Sequence, residues 1–214
     1  MEPLTHDIAL LPAPPPTDPV EFWNYYRETA EKTAVYPGFA SMTGLTYVSL
    51  GLHGESGELC DQVKKVIRDD RNTFVPERHA KLCAELGDVL WYWASAAREL
   101  GVECGALINL DYAPREAIQL PPGMGTPSAT SFAALALVKH VAKFTDPVLD
   151  ALGDGQARPQ DREALIRRLG AIYHCARSVA LTLDVDIRDI AIGNLCKLLS
   201  RRDRGTIHGS GDNR

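Results

Sequence analysis

Apolar residues recur along this chain in alternating steps of four and three, and the clearest run is Leu82, Leu86, Val89, Trp93, Ala96 and Leu100. Such stepping keeps one stripe of a 3.6-residue helix apolar, and it predicts a helix packed in a bundle. An earlier stripe, Leu52, Leu59, Val63 and Val66, predicts a second helix before it. Displaced by 83 positions, Leu165, Leu169, Ile172, Ala176, Val179 and Leu183 repeat the stepping of Leu82 to Leu100. Leu135, Val138, Val141 and Phe144 begin a helix corresponding to the one with Leu52, and Asn109-Leu110 echoes Asn194-Leu195. Strand signals are weak. The expected fold is all-α, a helical bundle built from a tandem, pseudo-twofold repeat of helical hairpins.

Proline and glycine divide the pattern. Residues 1–17, with Pro12, Pro14, Pro15 and Pro16, are expected to form a flexible, extended arm. Asp18 is placed to cap a helix with Pro19 in its first turn, and Pro37-Gly38 should end that helix after Tyr36. A Pro/Gly-rich linker over 114–130 then separates a first half, 18–113, from a second, 131–214.

Two carboxylate pairs lie on the first half's helices, Glu55-x-x-Glu58 and Glu85-x-x-Asp88. Residues three apart share a helix face, and both pairs flank the apolar stripes, so two packed helices can aim four carboxylates at one point. Alone, either pair would more often be solvated surface charge. Together they suit a hard divalent cation such as Mg²⁺ or Mn²⁺. Gly51, Gly54 and Gly57 sit on the first of these helices, each costing about 1 kcal/mol relative to alanine, which suggests close approach of another helix or a ligand. Aligning the stripes sets His140 and Lys143 opposite Glu55 and Glu58, and Arg168 and Ala171 opposite Glu85 and Asp88. The second half has lost the four acids and reads as a degenerate copy retained for packing, which can lend basic residues to the first.

The net charge of −5 argues against a general nucleic-acid binder. Positive charge is local instead: Lys197, Arg201, Arg202 and Arg204 crowd the last helix, and Lys197, Arg201 and Arg204 project from one side, where they can meet a phosphate chain or merely complement the helix dipole. Lys64 and Lys65 lie past Glu58 as further candidates. The five cysteines show no C-x-x-C spacing, and reduced thiols in the cytoplasm account for them. A signal peptide and a membrane-length apolar run are both lacking, so no membrane association is expected.

The run Leu50-Gly51-Leu52-His53-Gly54-Glu55-Ser56-Gly57-Glu58-Leu59, the run Glu85-Leu86-Gly87-Asp88-Val89-Leu90-Trp91-Tyr92, and the closing segment from Asn194 through Ile207 to Arg214 resemble, in order, the MazG-like family of all-α nucleoside triphosphate pyrophosphohydrolases. The matches cover about half the chain. The resemblance implies that Glu55, Glu58, Glu85 and Asp88 hold Mg²⁺, with Mn²⁺ as a possible substitute, while Asn194, Lys197, Arg201 and Arg204 bind the substrate's phosphates; Lys64, two turns past Glu58, is a further candidate for them by position alone. It implies hydrolysis of a nucleoside triphosphate to monophosphate and pyrophosphate, in nucleotide-pool house-cleaning; one of the carboxylates can act as general base instead of pure ligand, and Glu55 is the candidate. Trp23, Tyr47, Trp91 and Trp93 can each be base-pocket wall or core. The loop Gly209 to Arg214 can fold over the site or fray. A fused repeat implies a monomer with a pseudo-dimeric core, or a homodimer. Alternative readings are a carboxylate-bridged metal-binding bundle, against which the absence of Glu-x-x-His at these positions counts, and a non-catalytic interaction module.

Overall fold

The computed structural model describes residues 6–108, 123–156 and 158–206. Asp18 opens the first long helix, α1 (Pro19–Glu31), its carboxylate accepting the backbone N–H groups of Val20 and Glu21. The helix stops short of Tyr36, where the Pro37-Gly38 signal placed its end. Pro37 disfavours helical backbone at Tyr36, and the buried Tyr36 turns inward to donate its hydroxyl to the buried Glu99 carboxylate at 2.8 Å. Glu99 also accepts the Ala40 N–H at 2.7 Å, so one internal acid fastens the loop that leads into the next helix.

The remaining helices are α2 (Met42–Arg68), α3 (Pro76–Glu99), the single-turn α4 (Cys104–Leu107), α5 (Thr126–Gly153), α6 (Arg162–Thr182) and α7 (Ile187–Asp203). No strand occurs among the described residues. α2 and α3 form one hairpin and α5 and α6 another; α2 lies beside α5, α3 beside α6, and α7 packs against α3 with α1 alongside. All of them feed one continuous core. At its centre the Trp23 ring meets Phe22, Tyr26, Trp93 and Tyr173 edge-on, with centroids 5.1–5.4 Å away. The Trp93 indole N–H donates to the Leu169 carbonyl at 2.9 Å, so its burial leaves no polar orphan.

The two hairpins cap one another. Arg162, at the start of α6, donates its Nε–H to the Leu100 carbonyl that ends α3, at 2.8 Å. His79, 83 residues before Arg162, places Nε2 2.8 Å from the carbonyl of Leu183, which is 83 residues after Leu100. The chain leaves both helices alike: Gly101 and Asp184 adopt φ of 61° and 57°, and the next N–H groups, of Val102 and Val185, return to Ala97 and Ala180.

Several expected details differ. The buried stripe of α5 runs through Ala134, Leu137, Val141, Phe144 and Val148, while Leu135 is exposed and Val138 only half-buried; offset by 85 residues, it matches Ser49, Leu52, Ser56, Leu59 and Val63 of α2. α5 begins at Thr126, inside the span assigned to the linker, because Pro127 fits a first turn. Residues 6–17 are seated on the bundle and do not project as a free arm: a 3₁₀ turn at Ile8–Leu10 contacts α7, and Tyr25 donates to the Ala13 carbonyl at 2.7 Å. Asn109-Leu110 and Gly209 to Arg214 lie outside the described residues.

Candidate active site

Fully buried Leu52 and Leu59 anchor α2, and fully buried Leu86 and Val89 anchor α3. Their neighbours Glu55, Glu58 and Glu85 are thereby held at the seam between the helices. Ligand oxygens of these three glutamates lie within 4.8 Å of one another, and they are the one such acidic, histidine or cysteine group among the described residues. Burial first, then the negative charges of Asp88, Glu58 and Glu85, push the Glu55 carboxyl up to about 7, with Lys197 pulling the other way. A divalent cation would relieve that repulsion, and an all-oxygen donor set is of the kind that suits Mg²⁺ or Mn²⁺.

Asp88 stands beside this group, outside it. Lys197 Nζ lies 2.6 Å from both of its oxygens, and Asn194 Nδ2 donates to one of them at 2.7 Å. Both partners come from α7, three residues apart on one face. Close approach of that helix needs Gly87, where a Cβ would stand 3.0 Å from the Asn194 Cβ. The Tyr26 hydroxyl of α1 donates to Asn194 Oδ1 at 3.3 Å, which fixes the amide so that its nitrogen faces Asp88. On the other flank Gln62 donates to Glu85 at 3.4 Å, and Arg78 holds the Gln62 carbonyl oxygen at 2.8 Å while pairing with Asp70.

A cleft of about 150 Å³ opens beside the carboxylates, walled by Tyr47, Trp91 and Tyr92 together with Thr33, Glu55, Asp88 and Arg201. Tyr47 stacks on Tyr36 with centroids 4.7 Å apart, and the Trp91 N–H donates to Thr33 at 2.9 Å. Trp23 and Trp93 belong wholly to the core. A larger cavity, about 540 Å³, lies elsewhere, among Trp23, Tyr173, His174, Arg177 and Arg188, and none of Glu55, Glu58, Glu85 and Asp88 lines it.

Of the residues singled out from the sequence, Glu55, Glu58 and Glu85 converge, Asp88, Asn194 and Lys197 form a bonded trio beside them, and Arg201 lines the cleft. Lys64 does not join them: it is exposed and pairs with Asp61 on its own helix. Arg204 follows the last turn of α7 and donates to the Ser200 carbonyl at 3.3 Å. Gly51 has the close neighbour its position suggested, the Tyr92 ring, whereas Gly54 and Gly57 face open space. Gln62 shares the face of Glu55 and Glu58 and was within reach of the helical spacing. Tyr92 closes the Glu85–Tyr92 run and Tyr26 stands among the aromatics of the first helix, Phe22, Trp23, Tyr25 and Tyr26, any one of which could line a base pocket, but nothing in the sequence pointed to their contacts here; Arg78 carried no signal beyond its charged neighbours.

A family model for the MazG nucleotide pyrophosphohydrolase domain matches residues 44–108, the span that contains all four acids. The Gene 37 protein of Mycobacterium phage L5 is 46% identical over 80 residues, which make up 36% of this chain and 70% of the phage protein. No solved structure matches. No helix among the described residues is long and apolar enough to cross a membrane. With its acids on adjacent helices of an all-α bundle and that match laid over them, the chain belongs to the MazG nucleotide pyrophosphohydrolase family.

Proposed function

We propose that the protein is a metal-dependent nucleoside triphosphate pyrophosphohydrolase, converting a ribo- or deoxyribonucleoside triphosphate and water to the monophosphate and pyrophosphate. The observation that carries this reading is the meeting of Glu55, Glu58 and Glu85 next to a lysine-bound Asp88, inside the span of the family match. When bound there, Mg²⁺ or Mn²⁺ supplies neutralisation of phosphate charge and acidifies a water ligand. Glu55, which lines the cleft beside the other acids, is placed to take the proton from the attacking water as its oxygen bonds to the α-phosphorus. The bond from that phosphorus to the bridging oxygen breaks, and pyrophosphate leaves with the electron pair. Lys197, Asn194 and Arg201, on the α7 side, offset the charge that grows on it. Tyr47, Trp91 and Tyr92 offer stacking faces for the base. The α5–α6 hairpin, with His140, Lys143, Arg168 and Ala171 at the positions matched to the acids, serves as packing partner for the first hairpin, in place of a second subunit.

The test is pyrophosphate release from a panel of canonical, deoxy and modified nucleoside triphosphates with Mg²⁺, with Mn²⁺ and with chelator. Metal-dependent release with monophosphate as co-product is expected, and the ranking of bases gives the substrate. Silence across the panel from a folded, Mn²⁺-binding protein overturns the reading.

A further inference from the structure

Asp88 is supplied with a cation by the chain itself. Lys197 contacts both of its oxygens, Asn194 a third lone pair, and Tyr26 holds Asn194 in place. Glu55, Glu58 and Glu85 instead face one another closely enough to share an ion. The pair is not sealed in the core: the side chains of Lys197 and Asp88 are 28% and 25% exposed, so water can take part in separating them. A lysine ammonium on its flexible four-carbon stem can also move between two anions without moving its helix. The nearby cleft, walled by Asp88 and Arg201, gives a second anion a place to arrive.

We infer that Lys197 is the free protein's built-in counter-ion for Asp88: the free site takes one divalent cation, on Glu55, Glu58 and Glu85, and Asp88 becomes a ligand for a second when an anionic phosphate chain draws Lys197 away. The inference rests on the metal reading of the site. It makes phosphate-chain binding and the second cation mutually reinforcing, since each favours the state in which Lys197 has left Asp88. Lys197 is in this respect a positioning residue, setting how many cations the acids accept.

The experiment is Mn²⁺ titration without nucleotide, followed by calorimetry and by the paramagnetic signal of free Mn²⁺, with helicity checked by circular dichroism. Wild type should bind one equivalent, and Lys197→Met two. Lys197→Gln is a second variant should the methionine disturb folding, and the double variant Lys197→Met/Asp88→Asn should return to one. Lys64→Met removes the same charge from α2 without touching Asp88, and should stay at one. One equivalent in both Lys197 variants, two in wild type, or an equal change in Lys64→Met overturns the inference. Wild type that binds no Mn²⁺ overturns the metal reading itself, and the inference with it.

Discussion

The ring of Tyr92 lies so close over Gly51 that a Cβ at position 51 would come within 2.0 Å of its Cε1. Alanine there would gain about 1 kcal/mol of helix propensity and lose more by overpacking. Gly51→Ala should therefore destabilise the protein by roughly 1–3 kcal/mol, read as a lower urea midpoint. It should also impair catalysis, because Tyr92 shares the cleft wall with Glu55 and Asp88.

The raised Glu55 carboxyl gives the metal-free protein a signed pH dependence. Its ordinary value is 4.5, and the folded chain holds the proton up to about 7. Between these values the folded state binds more protons than the unfolded one, so stability falls as pH rises through that window. In chelator, melting temperature should decline from pH 4.5 to pH 7 more steeply for wild type than for Glu55→Gln, and the variant should be the more stable of the two at pH 8. Equal slopes would dissociate Glu55 from the effect.

Glu58 is exposed and contributes nothing to the core. Glu58→Ala should keep the helical circular dichroism of wild type while pyrophosphate release falls by about a hundredfold or more. Near-wild-type turnover would refute the assignment of the site.

Tyr47 is 40% exposed, with one face against Tyr36 and a place in the cleft wall. Loss of a base-stacking ring costs on the order of 1–3 kcal/mol. Tyr47→Ala should raise KM roughly tenfold at that magnitude and leave kcat nearly unchanged, as steady-state kinetics on the preferred nucleotide would measure.

Much of the site was legible because it is helical and local. Glu55 and Glu58 share a face by spacing alone, and so do Glu85 and Asp88; the apolar stripes beside them orient those faces toward one another. The partners of Asp88 were legible as candidates but not as partners, since Asn194 and Lys197 arrive on a helix more than a hundred residues later. Lys64 shows the opposite failure: its distance from Glu58 looked suitable, but Asp61 on its own helix takes it. The end of α1 was misplaced because Tyr36 answers to Glu99, a tertiary partner 63 residues away. In α5, Leu135 and Val138 fitted the periodicity as well as Ala134 and Leu137 do, and small alanines gave the spacing too little contrast to choose the buried face.

The exchange of caps between His79 and Arg162 bears on how the molecule comes apart. Each hairpin finishes a helix of the other, so separating them would strand the Leu100 and Leu183 carbonyls together with the apolar faces around Trp93 and Tyr173. Neither pair of helices is self-sufficient at that seam. The bundle should accordingly melt as one cooperative unit, with a single calorimetric transition, instead of shedding its acid-free half and leaving the carboxylates on a surviving remnant.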